Sequence, residues 1–422
     1  MGLPDIRGPC TPLARLVKVS PADDLVTALR RAGMADVPER FSIAPVHQEI
    51  PHAVLTSIDG FIRVFDRVTG REAWQKAAMA GAPEIARAKR PETCFFSAWD
   101  VHLPPGRPDA FQLIELNDNG SGFIFAALLN RHHYELSGPP RERPIEAPAE
   151  DSSFAERLTG MIRAEAESFF GGPLRGLLLL LDDAGSIETG RFRHELLLLR
   201  DLCRSIGWGA DIAAPGEATW DGGRLLLRGE PVGFVVNRST DFYWEGRDFS
   251  ALRSAYESRS VYVAPNPFTY VTRSDKQLLE WLSSPARDLE LGILPEERAV
   301  LTAHVPETRV VREDNVDELA RSSEEWFFKP SHGFASHGLL PGAEVGRTRL
   351  RRLMKKGSSY VAQRRAPKLR LETDEGVSLW ADLRVWAYRG ERFLLSGRAS
   401  REPDRLDLSP PGGWLPTYAL SR

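Results

Sequence analysis

Three oxygen-bearing side chains, Asp100, Glu115 and Asn117, fall within the stretch WDVHLPPGRPDAFQLIELNDNGSG. Glu115 and Asn117 are two apart at the end of an apolar run, so on a strand both point to one face. Joined by Asp100 from a neighbouring strand, they form a set of hard oxygen donors suited to Mg²⁺. That ion takes one or two carboxylates and leaves its other positions to water and phosphate oxygens. The same residues also fit a plain strand followed by a polar turn, because Asn, Asp, Gly and Ser are turn formers. Asn119 shares their face if the strand continues.

A second group lies in FKPSHGFASHG, Phe328 to Gly338. Lys329 at a strand end offers a point charge, and the small residues after it, among them Ser331, Ser336 and Gly338, let backbone N–H groups approach phosphate oxygens. An ordinary strand-to-strand loop with an exposed lysine fits as well. The third group is a pair of arginines, Arg384 in ADLRVW and Arg398 in LLSGRAS. A hairpin turning at Arg389-Gly390 brings them to one open end, where two guanidiniums suit a phosphoryl group or a carboxylate. Two solvated strand charges are the alternative.

The elements that must position these groups are of mixed α/β type. Leu174 to Leu181 is a continuous apolar run ending at Asp182-Asp183, the pattern of a buried parallel strand. Arg191 to Gly207 has apolar residues at helical spacing and stops at a glycine. Gly209 to Ala213 and Gly233 to Asn237 follow as strands, which predicts a right-handed βαβ unit. Asp275 to Leu282 reads as a short amphipathic helix, Trp326 to Lys329 and Tyr360 to Gln363 as strands, and Ala381 to Ser396 as a hairpin. Gly138 to Asp151 is rich in Pro and charge and reads as a linker; Arg401 onward reads as an irregular tail.

At 422 residues the chain is long enough for two or three packed units. Its net charge of −3 gives no global field toward nucleic acid or an anionic membrane, so a polyanion site must be a local cluster of Lys and Arg. Cys10, Cys94 and Cys203 form no CxxC pair, which argues against a disulfide or zinc framework and for a reducing compartment. The opening MGLPDIRGPCTPLARLV has no apolar core after a basic start, so no signal peptide is expected. The run Gly176 to Leu181 is far short of a membrane span. These features predict a cytoplasmic protein that neither crosses a membrane nor binds nucleic acid; oligomeric state is left open.

From Asn266 the segments PNPFTYVTRSDKQLLEWLSS, LTAHVPETRVV, WFFKPSHGFASHGL, YVAQRRAP and LWADLRVWAYRGERFLLSGRASR follow one another. This order resembles the ATP-grasp superfamily: a DK helix, a strand ending in Lys-Pro, a small-residue loop, a hinge strand and an arginine-bearing hairpin. The metal motif normally comes last there, whereas Asp100, Glu115 and Asn117 come first here. That order resembles the circularly permuted type related to glutathionylspermidine synthetase, and the run VVNRSTDF resembles its small Rossmann-like pre-ATP-grasp domain. The resemblance implies residues 1–150 as the N-terminal part with the metal motif and 151–262 as the pre-ATP-grasp domain. Residues 263–400 would be the nucleotide-binding lobe and 401–422 a tail.

By the same resemblance, Lys329 binds the α/β phosphates beneath the loop around Ser336, and Lys276 matches the lysine of the DK helix. Gln363, Arg364 and Arg365 line the adenine hinge. Asp100, Glu115 and Asn117 hold Mg²⁺, and Arg384 and Arg398 stabilise the transferring phosphoryl group. A further phosphate-binding lysine expected before Lys329 is absent from Ala286 to Phe328, where Arg309, Arg312 or Arg321 are candidates to replace it. The implied activity is an ATP-dependent carboxylate–amine ligase acting through an acyl phosphate. A kinase or a non-catalytic ATP-binding relative are the alternatives. Arg238 suits either a substrate carboxylate or an interdomain ion pair. His102 suits either the base that deprotonates the amine or a structural role.

Overall fold

The computed structural model describes residues 14–15, 22–31, 42–87, 96–137, 145–190, 192–332, 338–355, 359–372, 376 and 378–421. Its first long helix, α1 (His52–Thr69), buries Val54, Ile58, Phe61, Phe65 and Val68 at spacings of three and four, a single apolar stripe. Two strands follow, β1 (Ser97–His102) and β2 (Gln112–Asn117), then helices α2 (Phe123–Ser137) and α3 (Asp151–Phe170). Next come β3 (Leu177–Leu181), α4 (Arg193–Ser205), β4 (Ala210–Ala213) and β5 (Glu230–Asn237). The later strands are β6 (Thr308–Val310), β7 (Trp326–Pro330), β8 (Tyr360–Arg364), β9 (Ser378–Tyr388), β10 (Glu391–Ser400), β11 (Gly413–Leu415) and β12 (Thr417–Ala419).

One antiparallel sheet runs in the order β11-β10-β9-β1-β2, with Leu369–Glu372 also paired to β9. Two strands from near residue 100 therefore complete a hairpin formed near residue 390. Alternation divides this sheet into two faces. Trp99, Val101, Leu383 and Val385 join the core under α1, where Phe65 meets Trp99 edge to face at 4.7 Å between ring centroids. Asp100, His102, Asp382, Arg384 and Arg398 lie on the other face and line a cavity.

The pairing of β1 with β2 slips once, because Asp100 faces Glu115 while Val101 faces Leu113. Ile114 is the extra residue of a bulge. The bulge resets the alternation, so Leu113 and Leu116 both enter the core while Glu115 and Asn117 both face the cavity.

A second sheet has β3 between β4 and β5, all parallel, as the βαβ pattern of that segment predicts. Tyr262–Ala264 adds a parallel strand beyond β5, and two short strands, Ala218–Trp220 and Leu225–Leu227, extend it antiparallel. Asp182 and Arg238 stand just past the carboxyl ends of β3 and β5, the edge where open α/β sheets place ligands. A smaller antiparallel sheet joins β6, β8 and β7 to Leu340–Pro341 and packs on its own apolar cluster.

The stretch from Arg401, expected to be irregular, contains the buried strands β11 and β12; β12 runs parallel to His47–Ile50. Each is three residues long, too short to show a period, and packing against the main sheet fixes both. Part of the expected linker, residues 138–144, lies outside the described residues, while Ile145 bridges to Leu420. Cys10 and Cys94 also lie outside. Cys203 is buried, and burial pushes its thiol up to about 12, which leaves it without nucleophilic character. Among the described residues no helix is long and apolar enough to cross a membrane.

Beside β12, His133 is buried with its Nδ1 2.5 Å from Tyr418 Oη, next to His47. Burial holds its ring nitrogen down at about 4 against 6.5 in an exposed histidine, with His47 adding to the effect. Between pH 6.5 and 4 the unfolded chain binds a proton that the folded chain refuses, so stability falls as pH falls. The contribution is about 1.4 kcal/mol per pH unit across that window. Urea melts at pH 7, 6, 5 and 4.5 should show that slope reduced by one proton in His133→Gln; an unchanged slope would assign the acid sensitivity to other groups.

Candidate functional site

Between the main sheet, the parallel sheet and the small sheet lies a cavity of about 1300 Å³. It exceeds the 300–1,000 Å³ usual for one small ligand, so it has room for two. Eight Lys and Arg side chains and six carboxylates line it. A chain with net charge −3 thus concentrates cations in one cleft.

A ladder of charges runs across β1, β9 and β10. Arg384 and Asp100 face each other across β9 and β1, as Arg398 and Asp382 do across β10 and β9. Arg384 donates to Asp100 twice, at 2.6 and 2.7 Å, the fork geometry that a guanidinium offers a carboxylate. Arg398 donates to Asp382 at 3.1 and 2.7 Å, and its Nη2 also lies 3.1 Å from Asp100. Burial alone would raise the Asp100 carboxyl. Arg384 and Arg398 outweigh that and hold it well below the usual carboxylate range.

Next to the ladder, Asn117 Nδ2 donates to Glu115 at 3.0 Å, and Lys276 Nζ lies 3.9 Å from the other oxygen of Glu115. Lys329 reaches in from β7, donating to Gln363 Oε1 at 2.6 Å and to the carbonyl of Ile114, the bulged residue, at 3.0 Å. Burial lowers this ammonium to about 8, with Glu115 opposing the shift. The lysine therefore keeps its charge at neutral pH.

Asp100, Glu115, Asn117, Lys276, Lys329, Gln363, Arg364, Arg384, Arg398 and Arg238 all line the one cavity. Other expected residues do not. Ser331 is fully buried, its hydroxyl against Ser359 at 2.9 Å and its N–H donating to the Ser359 carbonyl at 2.9 Å. Gly338 sits in a turn with positive φ packed against Pro330 and does not line the cavity. Ser336 lies outside the described residues. Arg364 reaches the rim, but its guanidinium is paired with Glu307 and Glu325. Arg309 and Arg312 are bound to Glu307, Glu318 and Glu280, and none of Arg309, Arg312 and Arg321 lines the cavity.

Arg238 has an acidic partner, but one from its own 151–262 segment and not the interdomain ion pair that was one of its two readings. Its Nη2 lies 2.9 Å from Glu195, both side chains being buried, and its Nε donates to Ser121 Oγ at 3.0 Å. Glu195 also accepts from the backbone N–H groups of Gly122 and Ile124, at the start of α2. Nη1 of Arg238 makes no hydrogen bond among the described residues. As for His102, burial presses its ring down to about 3, with Lys368 adding to the effect, so it is far too weak a base for an ammonium ion.

Asp382, Lys368 and Asp182 are among the lining residues that were not foreseen. Asp382 completes the ladder, and its signal was the D-x-R spacing in ADLR. Lys368, just past the hinge, makes no ion pair among the described residues, and burial lowers its ammonium while Asp382 raises it. Asp182 is pushed up to about 6 by burial, with Arg238 pulling the other way. Its position after a five-leucine run was the available clue.

The donor set fits a magnesium ion. Asp100, Glu115 and Asn117 all line the cavity with oxygen-bearing side chains, and Asn117 turns its Nδ2 to Glu115 at 3.0 Å. That suits a cation completed by phosphate oxygens and water.

No protein-family model and no curated protein matches the chain. Among solved structures it is similar to a glutathione synthetase-like effector from Globodera pallida in its apo form. The TM-score is 0.58 at 9% identity, covering 95% of this chain and 98% of that one. A second similar structure is a protein assigned as a gamma-glutamylcysteine synthetase from Methylobacillus flagellatus KT. Its TM-score is 0.45 at 11% identity, with 86% and 87% of the two chains covered. The first likeness is one of fold: the chain shares the architecture of that effector over nearly its whole length.

The ladder makes a measurable demand on stability. Removing one partner of a buried ion pair strands the other, at a cost of about 3–5 kcal/mol. Asp100→Asn and Arg384→Met should each lower the unfolding free energy by about that much, and the double variant should lose much less than the sum. Additive losses in urea melts would mean the two charges are not coupled.

Proposed function

We propose that the chain is a magnesium-dependent ATP-grasp ligase that joins a carboxylate to an amine, with ATP converted to ADP and phosphate. The observation that carries this reading is one cavity lined by Lys276, Lys329, Arg384 and Arg398 together with Asp100, Glu115 and Asn117. The shared fold with a glutathione synthetase-like protein supports it. In this reading the ATP-grasp unit is circularly permuted. Residues 1–150 supply the metal motif, 151–262 form the Rossmann-like pre-ATP-grasp unit, and 263–400 form the nucleotide lobe.

Lys329 and Lys276 would hold the phosphate chain, while Gln363 fixes Lys329. Asp100, Glu115 and Asn117 would hold Mg²⁺, which when bound neutralises charge on the phosphate oxygens. Arg384 and Arg398 face the γ-phosphoryl group as a substrate carboxylate oxygen attacks it and ADP leaves. The amine nitrogen then attacks the acyl carbon, the C–N bond forms, and phosphate departs. On the parallel-sheet side of the cavity, Arg238 would lend its buried positive charge to an anionic group, and Asp182 suits an ammonium or the proton it must lose. Catalysis by such a site is mostly positioning and electrostatics.

An ADP-release assay with candidate carboxylates and amines tests the reading. ADP with an amide product supports it, ADP with no amine required points to a kinase, and no binding of Mg-ATP defeats both. Glu115→Ala should remove turnover while leaving the thermal melt in place; normal turnover would move the metal site elsewhere. Because Lys329 must be charged to hold phosphate, the dissociation constant for Mg-ATP should rise about tenfold per pH unit above pH 8. A flat profile to pH 9.5 would remove Lys329 from the phosphate site.

A further inference from the structure

Past β8 the chain turns through Arg365, Ala366, Pro367 and Lys368, all of which line the cavity. A backbone bordering a nucleobase normally reads it with its own C=O and N–H groups. Here both kinds of group are reduced. The carbonyl of Ala366 already accepts from His102, whose Nδ1 lies 3.0 Å away, and keeps one lone pair. Pro367 has no N–H to offer.

The imidazole returns one function. A carbonyl only accepts, so Nδ1 carries the proton of the neutral ring and Nε2 is left as an acceptor. His102 is buried, lines the cavity, and has no other hydrogen-bond partner among the described residues. Lys329, Lys368 and Arg398 are the charged groups that act on it. None of them accepts a hydrogen bond, so Nε2 is the acceptor His102 adds beside the hinge. It projects from the same strand face as Asp100, two residues away, so the acceptor and the phosphate end of the cavity are held on one rigid element.

Resting on the nucleotide-binding reading above, we infer that His102 is a specificity-determining residue. Its Nε2 accepts a hydrogen bond from the exocyclic 6-amino group of adenine, beside the Ala366 carbonyl to which the same ring donates. The carbonyl and imidazole form one relay of acceptors, and the base is read from the β1 side of the cleft.

The test is a ratio, which cancels any general weakening of the site. Dissociation constants are measured by calorimetry for Mg-ATP, for purine riboside triphosphate, which lacks the 6-amino group, and for 2′-deoxy-ATP. In the wild type, loss of the amino group should weaken binding roughly tenfold, the usual effect of stranding one buried hydrogen-bonding group. In His102→Phe, ATP should bind more weakly and the preference for ATP over the purine analogue should fall to about twofold or less. His102→Ala serves if the phenylalanine variant does not fold. A preference kept in either folded variant overturns the inference, as does equal binding of ATP and the purine analogue by the wild type. If 2′-deoxy-ATP is the analogue that His102 discriminates, the ring reads the ribose and the assignment to adenine is wrong. No binding of Mg-ATP by the wild type would overturn the nucleotide reading itself, and this inference with it.

Discussion

Everything in the cleft is constrained by the carboxylate of Asp100, which is shared between two guanidiniums. A buried charge must be paired, and here Asp100, Arg384, Arg398 and Asp382 neutralise one another in a chain two carboxylates and two arginines long. The consequence is linkage between ligands of opposite sign. A cation that takes an oxygen of Asp100 frees a guanidinium, and an anion that draws a guanidinium away frees an oxygen. Each ligand improves the site for the other by the same factor. A lone divalent cation gains little, since it must displace Arg384 from a bidentate contact.

That ladder needs a stiff base, and the fold supplies one. Arg384 and Asp100 are cross-strand neighbours, so their contact is set by sheet register. Behind them Trp99 is clamped by Phe61 and Phe65 of α1, which leaves the strands no freedom to slide. The small sheet is connected to this base by Lys329, whose ammonium spans from β7 to the Ile114 carbonyl in β2. That connection is available because β2 is the outer strand of its sheet, with carbonyls turned away from β1; beside it Gln363 Nε2 meets the Leu113 carbonyl at 3.4 Å. A ligand that competes for Lys329 therefore acts on the contact between the small sheet and the main one.

Much of this was legible in the sequence, and the misses have physical reasons. The alternation of Glu115 and Asn117 was readable because both follow the bulge; the bulge itself was not, since FQLIEL scans as an unbroken strand. The parallel sheet was readable because five leucines admit few other environments. Ser331 was misread because a serine after Lys-Pro scans as a loop, whereas the Ser359 backbone extends the pairing to it. Lys368 was hidden in RRAPKLR, where four basic residues share seven positions and Arg364, Arg365 and Lys368 all reach the cavity. The strands β11 and β12 were masked by SPPGGWLP, whose prolines and glycines signal turns. Their hydrogen-bond partners lie in β10 and His47–Ile50, hundreds of residues earlier in the latter case.

The two ends of the cavity differ in what they cost to occupy, and that difference orders the chemistry. At the ladder, cations outnumber their local carboxylates once Lys276 and Lys329 are counted beside Arg384 and Arg398, so an anion entering there recovers the desolvation that the protein has already borne. At the far end, Asp182 and Arg238 oppose each other, and burial already draws Asp182 toward its neutral form. A polyanion is favoured at the first end, and a molecule carrying both an anionic and a cationic group at the second. The cavity's 1300 Å³ spans both. In the proposed ligase the two ligands would meet between them, with the reacting atoms beside Glu115 and Asn117.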